Sequence, residues 1–98
     1  MMNAQQSAAM DRLIDIAKSD TGQSRRVANF LLAWWNARSC GGFDLTDTWG
    51  LDADIASDIA LVFVYVAANG SNLYPDSLGY SDDFKQIIAR WRSELVER

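Results

Sequence analysis

The stretch Ile59-Ala60-Leu61-Val62-Phe63-Val64-Tyr65-Val66 decides the fold. Its β-branched and aromatic residues would suit a buried strand. Its surroundings favour a helix. Apolar positions continue back to Ile55, Asp52-Ala53-Asp54 opens the segment with acidic residues, and Asn69-Gly70 supplies a stop. A segment of that length with an acidic start and a glycine end reads as a helix over residues 52–68. Because it is apolar on nearly all sides, it is expected at the centre of a bundle. In that position Phe63→Ala would cost ~3–5 kcal/mol.

Upstream, Met10, Leu13, Ile14 and Ala17 fall at i, i+3, i+4 and i+7, predicting a helix from about residue 5 to 18 with residues 1–4 frayed. Ser19-Asp20-Thr21-Gly22 ends it. Val27, Phe30, Leu31, Trp34, Trp35 and Arg38 carry the same period from about residue 23 to 38, with Asp20, Thr21 or Ser24 available as a cap. Cys40-Gly41-Gly42 stops that helix and permits left-handed backbone angles, so Gly42→Val destabilises if the φ of Gly42 is positive. Asp44 or Thr46 then caps a short turn ending near Trp49-Gly50. Downstream, Tyr74-Pro75-Asp76-Ser77-Leu78-Gly79 is an extended loop with a turn. Ser81 is expected to cap a last helix striped by Phe84, Ile87, Ile88, Trp91 and Leu95. The fold class is therefore all-α, a compact bundle of four main helices plus one short helix, with helix 52–68 central and residues 1–98 forming a single domain.

A chain of 98 residues, 49% of them hydrophobic, supports one core. It contains no run near the ~20 apolar residues that a membrane helix needs. The start MMNAQQSAAMD lacks the basic and apolar regions of a signal peptide. The single cysteine offers no internal disulfide, so a cytoplasmic location away from membranes is expected.

Histidine is absent, which removes histidine-dependent triads and HExxH zinc chemistry. The spacing Asp52-x-Asp54-x-x-x-Asp58 suggests a calcium loop at first sight, but such loops need glycine at the sixth position and glutamate at the twelfth. Ser57 and Phe63 occupy those places. Aspartates in a first helical turn are explained by the helix dipole. Cys40 sits at a helix end beside two glycines, where nothing activates a thiolate, and reads as a small apolar side chain. No catalytic residue, metal or cofactor is expected, and the chain is read as not an enzyme.

The net charge of −4 is unevenly distributed. Residues 41–83 hold eight aspartates (Asp44, Asp47, Asp52, Asp54, Asp58, Asp76, Asp82, Asp83) and no lysine or arginine, whereas both flanks are basic. The acidic middle either folds against those flanks or presents a patch to a basic partner. Direct nucleic-acid binding is not expected from an acidic chain, because a phosphate backbone needs a basic face. Arg25 and Arg26 oppose the dipole of the second helix, so aspartates answer them or an outside partner does. The entry of that helix faintly suggests a helix-turn-helix, yet its outer face offers little beyond Asn29 and Asn36 for base readout.

Trp34, Trp35, Trp49 and Trp91 are many tryptophans for this length, and adjacent ones on a helix point about 100° apart. Either Trp34 and Trp35 both belong to the core, or one joins Phe43, Trp49, Tyr74 or Tyr80 as an exposed anchor. The expected function is a non-catalytic protein–protein interaction module whose partner is another protein, a homodimer included. The candidate partner-binding residues are Arg25, Arg26, Trp35, Asn36, Phe43, Asp44, Asp47, Trp49, Tyr74, Asp76 and Tyr80. The alternative is an acidic nucleic-acid mimic, or an inhibitor of a nucleic-acid-binding protein. That reading requires the aspartates to lie exposed on one surface at phosphate-like spacing.

The stretches SDTGQSRRVANFLLAWWNA (19–37), CGGFDLTDTW (40–49), YPDSLGY (74–80) and RWR (90–92) resemble a small proteobacterial family of unknown function, often encoded on integrative or plasmid-borne elements. The resemblance spans residues 10–92. It implies a bacterial source and a mobile-element setting, and it carries over no activity and no site residues.

Overall fold

Helix α1, Ala4–Ala17, starts where Asn3 and Gln6 cap one another: Asn3 Oδ1 accepts from the Gln6 N–H at 2.8 Å, and Gln6 Oε1 accepts from the Asn3 N–H at 3.0 Å. This reciprocal box satisfies two donors that a helix start otherwise leaves unpaired. The helix thus starts at Ala4, one residue before the start predicted near residue 5. The computed structural model describes residues 2–70 and 73–96. Met1, the first of the residues 1–4 expected to fray, and Glu97 and Arg98 of the basic flank lie outside the described residues.

Helix α2 is Gly22–Cys40, α3 is Ala53–Ala68 and α4 is Ser81–Trp91. Short 3-10 turns at Leu45–Gly50, Pro75–Leu78 and Ser93–Leu95 connect and finish them. No strand occurs among the described residues, and 59–66 is helical. The all-α, four-helix reading therefore stands, with a radius of gyration of 12.5 Å.

Centrality belongs to a different helix. α1 packs against α2, α3 and α4, burying Ala9, Met10, Leu13, Ile14 and Ala17. α3 packs chiefly on α1 and buries one stripe, Asp58, Ile59, Val62 and Tyr65. On its other side Phe63 is 60% and Val64 58% exposed. Helix 52–68 is thus peripheral, because three helices offer only one flank of α1 for it to cover. The all-round apolar pattern describes a helix with a second face left open.

Local corrections follow the same logic of partners. Thr21 caps α2, its hydroxyl accepting from the Ser24 N–H at 3.0 Å. α2 breaks at Asn36 (φ −168°, ψ 94°), whose Oδ1 accepts from the N–H groups of Arg38 and Ser39 and so caps the last turn. Of the glycine pair after α2, Gly41 takes the positive φ, at 95°, and Gly42 does not. Asp44, not Thr46, caps the turn at 45–50. Asp52 precedes α3 without a side-chain cap bond. Its N–H donates instead to Gln23 Oε1 at 2.7 Å, joining the starts of α2 and α3. Ser81 is the first residue of α4 rather than its cap. α4 ends before Leu95, because Arg92 leaves the helix (φ −141°) to donate from Nε to the Cys40 carbonyl at 2.9 Å.

The adjacent tryptophans are contacted on two sides. Trp35 stacks on Phe84, ring centres 5.3 Å apart, while Trp34 Nε1 donates to the Leu73 carbonyl at 2.9 Å. Trp91 Nε1 donates to the Ala17 carbonyl at 2.7 Å, tying α4 to the end of α1. Cys40 is buried among these core residues, as a small apolar side chain would be.

Candidate docking groove

α2 and α3 both lean on α1 and make little direct contact with each other. The space between them is a groove of about 660 Å³. Phe30, Ala33 and Trp34 form its α2 wall, and Ala56, Ile59, Ala60, Phe63 and Val66 its α3 wall. Phe43, Leu45 and Thr48, from the segment between α2 and α3, complete its lining. Phe43 is held there edge-to-face on Phe30, ring centres 5.3 Å apart. Every lining side chain is uncharged, and Leu45 is 75% exposed. Beside the groove, Trp49 is 84% exposed at the end of the 45–50 turn.

The same turn carries Asp44 and Asp47. Asp44 Oδ1 accepts from the Thr46 hydroxyl at 2.8 Å and the Thr46 N–H at 2.9 Å, which together hold its carboxyl below the ordinary carboxylate range. Asp47 Oδ2 accepts from Asn29 Nδ2 at 3.5 Å, a long contact. Arg26 reaches this turn from α2. Its guanidinium lies over Gly50 so closely that a Cβ there would come within 2.6 Å of Cζ. Phe43, Asp44, Asp47, Trp49 and Arg26 are therefore brought to one end of the domain.

Trp35, Asn36, Tyr74 and Asp76 border a second cleft, of about 590 Å³, at the break in α2. Ala33 and Trp34 line both spaces. Trp35 is committed to Phe84 rather than free as an anchor, whereas Tyr74 is half exposed. Arg25 and Tyr80 line neither space. Tyr80 is half-buried, and burial raises its phenol pKa against the opposing effect of a Ser7 hydrogen bond.

The acidic segment is partly answered by the basic flanks. Arg12 holds Asp58 through two 2.9 Å hydrogen bonds, and Lys18 pairs with Asp83 at 2.6 Å. Among the described residues, Asp44, Asp47, Asp52, Asp54, Asp76 and Asp82 take part in no ion pair.

Sequence reasoning missed Ala60, Phe63 and Val64 as surface residues, because it placed all of α3 inside. One signal was available: a helix apolar around its whole circumference needs more partner faces than three amphipathic helices can supply.

No helix among the described residues is long and apolar enough to cross a membrane. No curated protein and no solved structure matches the chain. Residues 7–92 match the family of unknown function DUF7673, to which the chain therefore belongs.

Proposed function

We propose that this protein is a non-catalytic protein–protein interaction module, working in the cytoplasm of a bacterium as the product of a mobile element. The observation that carries the reading is the open apolar groove between α2 and α3, with Phe63, Val64 and Leu45 more than half exposed around it. A monomer rarely leaves such a contiguous apolar surface in water without using it. Trp49 stands beside the groove, and exposed tryptophan is the residue type most enriched where partners dock. No titratable side chain lines the groove, so its chemistry suits burial of apolar surface rather than proton transfer. The lone Cys40, buried and unpaired, supports the cytoplasmic placement. The ion pairs that hold Asp58 and Asp83 weigh against the nucleic-acid-mimic reading, which needs those carboxylates free.

The test is site-specific photo-crosslinking in the source cell. A benzophenone side chain is placed at Phe63, at Trp49 and, as control, at the exposed Gln86 on α4. The expected result is a discrete adduct with a protein at position 63 or 49 and none at 86. Adducts absent from 63 and 49, or equal at all three sites, would overturn the reading.

A further inference from the structure

We propose that the groove's occupant is an amphipathic helix of another protein, bearing lysine or arginine beside its apolar stripe; this rests on the interaction reading above. The α3 wall presents Ala56, Ile59, Ala60 and Phe63, a ridge at i, i+3, i+4 and i+7 that is complementary to the grooves of another helix. α3 has α1 on one side only, so an incoming helix lying on α2 and α3 supplies its second neighbour.

Charge selects the kind of helix. Around the groove, the 45–50 turn and the start of α3 bring Asp44, Asp47 and Asp52, none in an ion pair among the described residues, whereas Asp54 faces the Arg12 side of α3. Two cations lie nearby, Arg26 over Gly50 and Arg92 on the neutral oxygens of Cys40 and Asn29, and the three carboxylates outnumber them. A cationic partner gains attraction and a faster encounter at this rim. A second copy does not, because a two-fold contact lays the same acidic segment against its own image.

The probe is a surface-displayed library of helices of about 20 residues, selected against the full chain and counter-selected against Ala60→Arg. Ala60 is exposed and arginine is a good helix former, so that variant is expected to keep the wild-type circular dichroism. Enriched helices are expected to carry an i, i+3, i+4, i+7 apolar stripe with net positive charge. Ala60→Arg should weaken a recovered peptide at least about tenfold. The isosteric pair Asp44→Asn with Asp47→Asn, which keeps the cap acceptor, should weaken it roughly three- to tenfold and flatten its salt dependence. Groove-dependent helices without a cationic excess overturn this inference and leave the interaction reading standing. A dimer in light scattering that Ala60→Arg dissolves overturns it in favour of a second copy. Recovery of no groove-dependent helix removes both.

Discussion

Arg12 on α1 grips Asp58 on α3 in a two-point fork, Nε to Oδ2 and Nη2 to Oδ1, both 2.9 Å. The residues are 46 positions apart, and the fork fixes the register of the two helices that share the most surface. Asp58 is 7% exposed, yet its partner's side chain is 58% exposed, so water screens the pair from one side. The hydrogen bonds and then the charge of Asp58 raise the Arg12 pKa above its ordinary value.

Arg12→Met is expected to lower the thermal midpoint, because it leaves a carboxylate at a buried position without its cation. Arg12→Met combined with Asp58→Leu should recover much of that loss. Thermal unfolding of the two single variants and the double variant forms the cycle that checks this. Additive losses would show that the fork contributes nothing to the α1–α3 contact.

Phe63 and Phe84 share a side chain but not an environment. Phe63→Ala should cost less than about 1 kcal/mol, as surface changes do. Phe84, fully buried and stacked on Trp35, should cost about 3–5 kcal/mol on the same change. Urea unfolding of both variants decides it, and equal losses would restore α3 to the centre.

Gly41 has φ 95° and ψ 160°, a region closed to side-chain-bearing residues although nothing lies within 4 Å of its would-be Cβ. Gly41→Val should therefore destabilise by about 1–3 kcal/mol through backbone strain alone. Gly42, with open space and no positive φ, should accept valine with little change. Denaturant midpoints of the two neighbours give the comparison.

Burial raises the Tyr80 phenol pKa, so the folded state resists its ionisation more than the unfolded chain does. The stability this supplies is complete below the unfolded tyrosine value, about 10, and is lost as pH rises from there through the folded value. Tyr80→Phe should flatten the alkaline fall in the unfolding midpoint and remove the late step in phenolate absorbance. An unchanged alkaline profile would contradict this account.

Helix periods were legible because each needs only its own sequence. Met10, Leu13, Ile14 and Ala17 of α1 and Phe84 and Ile87 of α4 are buried as their spacing implies. Of the candidate site residues, Phe43 lines the groove and Asp44, Asp47 and Trp49 share the 45–50 turn. Trp35 was diverted to Phe84, and Tyr80 was half-buried away from both spaces. Neither outcome leaves a local trace, since both depend on what another helix presents.

By itself, the sequence determined that this chain is helical, where its helices lie and that it carries no histidine, because periodicity, capping and composition are local or additive properties. Only the tertiary structure decided which helix is central. α1 took that place, with α2, α3 and α4 all packed on it over Ala9, Met10, Leu13, Ile14 and Ala17, and α3 was left with one face covered. Burial is a competition among surfaces for partners, and the groove between α2 and α3 is where that competition ended with apolar surface uncovered.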